Sequence, residues 1–309
     1  MRRIRLDPDN EALKRTGLDL IGRGDWEGLA AFVDGLSAEA AYVTIRLIGA
    51  SLPLDADIRP LIASGRPLER MLAGAILHAR AGRVRGMGMA ELVSDDQWEL
   101  YIPTLAHAQE LLFEASRLDP DRGLTAAFRL AAFVDSSDEE KDEAELALRA
   151  ARDVPISGLS RLVTARAKKW GGSHEEMWAV VAHYSESQPP ASLGLLAKAH
   201  YEQWLYYAVF EEDEEVARKA EGYFQSPSVM GELEEASLRV VAAPDDADPR
   251  SIVFADNCFA YTFWTAGGAR KARPHLQRMG KYLDPTVWLI ERPRLALNQA
   301  RLSAWLPPI

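Results

Sequence analysis

The sequence predicts an all-α protein, an array of antiparallel helix pairs behind a less regular helical N-terminal part. Apolar residues recur at three- and four-residue spacing through most of the 309 residues, the period of one helix face. Valine and isoleucine stand singly rather than in alternating runs bounded by turns, so no segment reads as a strand. Prolines fall at a nearly constant interval: Pro120, Pro155 and Pro190 are 35 residues apart, Pro227 lies 37 beyond Pro190, and Pro285 lies 36 beyond Pro249.

Taken in order, Asp25-Trp26 opens a helix to Leu36, Ala38 to Ala50 reads as its partner and Leu68 to Arg80 as a third, with Pro53, Pro60 and Pro67 between them. Gly82 to Met89 is the expected connector, dividing an N-terminal part, 1–85, from a repeat array, 86–309. The array starts with a helix from Pro103, suited to a first turn, to Leu118, with Leu105, Ala108, Leu111, Leu112 and Ala115 on one face. Leu124 to Ala132 forms the next. After the break Asp135-Ser136-Ser137-Asp138, Ser136 or Ser137 caps a helix to Arg152, with Glu139 and Glu140 favouring its N-terminus. Leu159 to Trp170 pairs with a helix opened by Ser173-His174-Glu175-Glu176 at capping-box spacing. Leu193 to Phe210 pairs with Glu214 to Phe224, and Arg250 to Ala266 with Ala269 to Leu283; Pro244 to Pro249 is a second connector.

Composition sets the class. With 48% hydrophobic and 27% charged residues the chain is an ordinary packed protein. Its net charge of −10 has the wrong sign for holding a phosphate backbone, so nucleic acid is not expected as a partner. The N-terminus has no apolar stretch of the secretory kind, and Arg46, Asp256 and Asn257 interrupt the longest apolar runs, so no membrane span is expected. Cys258 is the only cysteine, which rules out an internal disulfide and fits a cytoplasmic location.

Ala108, Leu112, Ala115 and Pro120, with Leu118 two before the proline, occupy the small, large, small and proline offsets of a second helix in a tetratricopeptide repeat. Ala144, Leu148, Ala151 and Pro155 repeat the pattern with the proline one place late, and Leu283-Asp284-Pro285 echoes Leu118-Asp119-Pro120. The first-helix signatures fit badly. The segment from Lys169 to Met177 is similar to one in a bacterial group of tetratricopeptide-like proteins. Covering the middle half of the chain, the resemblance implies a tetratricopeptide-like α-solenoid and brings no activity with it.

The chemical motifs are weak. Gly82, Gly86 and Gly88 follow no strand and precede no Lys-Ser/Thr, so they do not make a phosphate loop. Of the six histidines, His78, His107, His174, His183, His200 and His275, the nearest to a metal pattern, His174 and His183, stand nine residues apart on different faces, and none follows a glutamate by three residues, so neither a metal nor another cofactor is expected. There is no Gly-x-Ser-x-Gly, and Cys258 in an apolar helix reads as core, so no catalytic residue is assigned. The acidic runs Asp138 to Glu145 and Glu211 to Glu215 read as solvated turns.

The aromatics carry the binding expectation. His200, Tyr201, Trp204 and Tyr207 recur along one helix, and Asn257, Tyr261 and Trp264 along another; both are first helices of their pairs, which line the concave face of a solenoid. Aromatic rows also serve to pack helices together. Arg129, Arg161, Arg166, Lys168 and Lys169 supply positive charge suited to an acidic or C-terminal carboxylate ligand. The leading expectation is therefore a non-enzymatic module that binds a peptide or protein through Arg129, Arg161, Lys168, Trp170, His174, His200, Tyr201, Trp204, Asn257, Tyr261 and Trp264. The alternative is an enzyme or small-molecule binder with a pocket near Trp170, His174, His200, Tyr201 and Trp264; a third is a regulatory protein whose acidic surface masks a basic partner.

Overall fold

The structure, a computed structural model, describes residues 10–86, 92–134, 136–243, 248–284, 287–288 and 292–309. Every regular element among them is helical, and the only bridge of β type is an isolated one between Arg122 and Arg152. The contacts group into two compact units that divide between Arg161 and Leu162.

The N-terminal unit contains α1 (Asn10–Gly22), α2 (Trp26–Asp34), α3 (Ala38–Ser51), α4 (Arg59–Ala63), α5 (Pro67–Arg85), α6 (Asp95–Leu118), α7 (Gly123–Ala132), α8 (Asp138–Ala150) and the start of α9 (Ile156–Ala165). Polar caps set the starts: Asp25 accepts from the Gly28 N–H and Ser37 from the Ala40 N–H. Capping boxes pair Ser94 with Gln97 and Ser137 with Glu140, which selects Ser137 over Ser136. The Ser94 box starts α6 eight residues before Pro103, so the proline lies inside the helix, where packing of Trp98 edge-on to Tyr101 at 5.5 Å accompanies the extra turns. Ala108, Leu112 and Ala115 are fully buried, and Gly74 lets α5 approach α6 closely: a Cβ there would lie 2.7 Å from the Leu112 side chain. Gly82 to Arg85 are helical and Gly86, at φ +77°, ends the helix, while residues 87–89 of the expected connector lie outside the described residues.

The C-terminal unit contains α10 (His174–Tyr184), α11 (Gly194–Leu205), the short α12 (Glu214–Ala217) and α13 (Lys219–Gly222), α14 (Pro227–Val241), α15 (Pro249–Thr265), α16 (Ala269–Met279) and α17 (Pro293–Ser303). The expected helix from Leu159 to Trp170 stops at Ala165, and Lys168–Trp170 form a 3₁₀ turn. The single helix expected over Glu214 to Phe224 is broken into two one-turn pieces and a 3₁₀ turn. No residue from Glu214 to Gly222 is buried, so no tertiary face holds a continuous helix together. α16 ends at Met279, earlier than Leu283, where Gly280 takes φ +59°. α15 is the centre of this unit: Ser251 to Phe263 are all buried, and Gly194 lets α11 close onto Ala255. No helix among the described residues is long and apolar enough to cross a membrane.

Candidate functional site

Lys168 and His174, both singled out above, come together around one irregular turn. α11 continues past Leu205 into a π-helical turn, Tyr206–Phe210, in which the Glu211 N–H donates to the Tyr206 carbonyl at 2.9 Å. Such an inserted turn re-aims the side chains it carries and is frequent at functional positions. Tyr206 and Tyr207 pack edge-on to His174, with ring centres 5.4 and 5.2 Å away. His174 is held in the first turn of α10 because Ser173 caps that helix by accepting from the Glu176 N–H. The Lys168 ammonium sits 4.4 Å over the Tyr206 ring and 3.4 Å from Glu211, and Lys219 sits 5.6 Å over Tyr207. The Tyr206 hydroxyl, with Glu211, holds Lys168 above the usual lysine range. Burial, reinforced by the Lys168 charge, pushes His174 below the usual histidine range, so its ring is neutral at pH 7. Neither His174 ring nitrogen has a hydrogen-bond partner among the described residues. At the end of the turn Val209 is 61% exposed and Phe210 46%.

A polar chain connects this turn to His200. Gln203 donates from Nε2 to the Tyr207 hydroxyl at 3.2 Å, and its Oε1 accepts from Trp178 Nε1 at 2.7 Å. The Tyr223 hydroxyl lies 3.2 Å from the same Gln203 oxygen and 2.9 Å from His200 Nδ1, while His200 Nε2 lies 3.1 Å from the half-exposed carboxylate of Glu232. Burial lowers the His200 pKa against the opposing pull of Glu232.

The other expected residues lie elsewhere. Trp170 ends the Lys168–Trp170 turn and is half-buried. Tyr201 and Tyr261 are buried with their hydroxyls 3.1 Å apart; Trp204 and Trp264 are half-buried beside them, and Trp264 stacks on the buried Trp288 at 5.9 Å. Asn257 is buried with its whole amide engaged: Nδ2 donates to the carbonyls of Val253 and Tyr282, and Oδ1 accepts from the Asp284 N–H and Trp288 Nε1, all at 2.8 to 2.9 Å. Arg129 belongs to the N-terminal unit, buried 4.8 Å from the Phe113 ring centre and paired with Glu143 at 2.9 Å. Arg161 also lies in that unit, on α9.

Two buried polar clusters were not visible in the sequence. Glu202 lies between two lysines, 2.6 Å from Lys169 and 3.1 Å from Lys198, and all three side chains are at most 8% exposed. Burial alone would raise the Glu202 carboxyl, but the two ammonium groups hold it below the usual carboxylate range. On α14, α15 and α16, Ser237 Oγ lies 2.7 Å from His275 Nε2 and His275 Nδ1 lies 2.7 Å from Asp256, whose other oxygen is 3.2 Å from Arg278 Nε. Those contacts have the connectivity of a serine, histidine and aspartate triad, but His275 and Asp256 are fully buried and Ser237 is 7% exposed. The spacing of Leu233, Ala236, Ser237 and Val240 behind Pro227 is the signal that would have placed α14, and with it Ser237.

In the N-terminal unit an open depression of about 540 Å³ is lined by Asp95, Trp98, Glu99, Ile102 and Pro103. Among the described residues no three histidine, cysteine or carboxylate side chains converge as a metal site would require. No protein-family model, curated protein or solved structure matches this chain.

Proposed function

We propose that this protein is a non-enzymatic binding module that holds a peptide or protein segment at the tyrosine-rich π turn of its C-terminal unit. The carrying observation is His174: a neutral imidazole with both nitrogens unpartnered, packed edge-on to Tyr206 and Tyr207 of the turn that also carries the exposed Val209 and Phe210. Leaving a buried polar group unpaired costs about 1–3 kcal/mol, a cost that a ligand bonding to the ring would offset. Lys168 and Lys219 suit a partner with acidic side chains or a C-terminal carboxylate. A tetratricopeptide-like arrangement is part of the proposal, supported by the interval of the prolines and by α6, α7 and α8 each packing on the next. The lone buried cysteine is consistent with our placing the protein in the cytoplasm.

The test is capture from the native cell with wild type against a Phe210→Ala, Lys168→Gln variant whose melting is unchanged. A partner held by wild type and lost by the variant supports the reading. A small molecule carried by wild type, with no protein partner, replaces it with the enclosed-pocket alternative.

A second reading, an enzyme with a serine nucleophile, is favoured by the Ser237, His275 and Asp256 distances alone. Labelling of Ser237 by a fluorophosphonate, abolished in His275→Gln, supports that reading; an unlabelled wild type leaves the cluster as a tie among three helices.

A further inference from the structure

We propose that the outer face of α17, with the tail that follows it to Ile309, docks on the anionic surface of a lipid bilayer, lying on it without spanning it. The proposal uses none of the residues of the π turn.

A helix that buries one face is expected to turn a polar face outward. α17 departs from this. Its inner side, Ala296, Leu297, Ala300, Arg301 and Ala304, is buried, and Arg301 donates from Nη1 to the Leu276 carbonyl of α16 at 2.9 Å. On the opposite side Leu295 and Leu302, seven residues and two helical turns apart, form an exposed apolar ridge about 10 Å long. Trp305 prolongs it. Its side chain is 83% exposed and its backbone sits at φ +60°, a left-handed conformation that is costly for a bulky residue.

The backbone of this tail is closed on itself. The Trp305 N–H donates to the Leu302 carbonyl and the Leu306 N–H to the Arg301 carbonyl, while Pro307 and Pro308 have no N–H to satisfy. The Ile309 N–H donates to Asn298 Oδ1 at 2.9 Å, and Asn298 Nδ2 donates back to the Ile309 carbonyl at 3.3 Å. That exchange occupies the polar side chain between the two leucines and brings the exposed Ile309 beside it. Arg301 Nε takes up the Pro307 carbonyl at 2.8 Å. A segment whose N–H groups are all satisfied internally suits a hydrocarbon boundary, and it leaves no free N–H from Trp305 to Ile309 to which a peptide strand could add.

Charge selects the occupant. Residues 266–309 carry eight arginines and lysines against Asp284 and Glu291, a net charge of +6 in a chain whose total is −10. Arg292 and Arg294, both exposed, open α17, and Arg270, Arg273 and Lys281 are exposed on or just after α16, on which α17 packs. A second copy meeting the same face would set like charges together. Negatively charged headgroups pair with these arginines while the leucines and the indole enter the boundary beneath them, and a bilayer needs no preformed cavity to receive a projecting ring.

The test is co-sedimentation of the full chain with vesicles of phosphatidylcholine, alone or mixed with phosphatidylglycerol, at low and high salt. The expected result is binding to the mixed vesicles that is about tenfold weaker to phosphatidylcholine alone and is reduced by salt. Trp305→Gly, which suits the left-handed backbone, combined with Leu302→Ser should weaken binding about tenfold with melting unchanged. Arg292→Gln with Arg294→Gln, both on exposed side chains, gives the same loss and is the check if the first pair fails to fold. Absence of binding to the mixed vesicles, or equal binding by folded variants, overturns the proposal. A dimer in sedimentation velocity that Trp305→Gly abolishes, with vesicles unbound, also overturns it and gives the face to a second copy.

Discussion

Arg161 and Arg129 are both arginines with apolar surroundings, yet their fates differ at the level of single atoms. The Nε of each lacks an acceptor, but Arg129 also pairs with Glu143 and lies over two phenylalanine rings, whereas the Arg161 charge disfavours protonation of His78. Because His78 is neutral in the folded protein down to about pH 4, the unfolded chain binds the extra proton between about pH 6.5 and 4. Stability from this residue therefore falls as the pH drops through that window. A histidine NMR titration should give His78 a midpoint near 4, moved upward in Arg161→Gln; a midpoint near 6.5 in wild type would contradict the assignment. Asp256 makes a second residue-scale case, since its removal would leave Arg278 and His275 buried without their anion. Asp256→Ala should lose roughly 3–5 kcal/mol in urea unfolding, the range for breaking a buried ion pair.

Among the elements, the π turn is the one with a sharp signature. Deleting Ala208 removes the inserted residue, allows regular α-helical bonding, and turns Val209 and Phe210 by about 100° relative to α11. The expected outcome is a helix content by circular dichroism equal to wild type with loss of the partner captured in the pull-down. Elements also differ in how far the sequence announces them. α3, α8 and α10 were legible because a serine cap, an acidic first turn and an apolar stripe agree. α12 and α13 were misread as one helix because local propensity said nothing about a missing tertiary face. The π turn had no signal at all: a one-residue insertion leaves the apolar spacing of Leu193 to Phe210 almost unchanged. Of the candidate site, Lys168 and His174 were named from residue type and position and Tyr207 as part of an aromatic row, while Tyr206 and Gln203 join them only through that turn.

For the molecule as a whole, acid is the informative stress. The chain carries a formal charge of −10, and the Glu202 carboxylate is ionised between two buried lysines. Its folded pKa lies below its unfolded one, so its contribution is complete above about pH 4.3 and is lost as the pH falls through the folded value. Glu202→Gln should therefore lower stability at pH 7, by about 3–5 kcal/mol if the lysines stay buried, and flatten the acid limb of a stability profile. A variant with an unaltered acid limb would show the two lysines neutralised by other means. Closed, hydrogen-bonded centres of this kind also bear on how the protein ages. Asn257, with both amide hydrogens donated and its oxygen doubly accepted, cannot bend its side chain toward the following backbone nitrogen while α15 is intact. Deamidation at that position is therefore confined to molecules in which the core of the C-terminal unit has opened. The slow gain of one dalton there, followed by mass spectrometry over weeks of storage, becomes a chemical clock for an otherwise invisible opening.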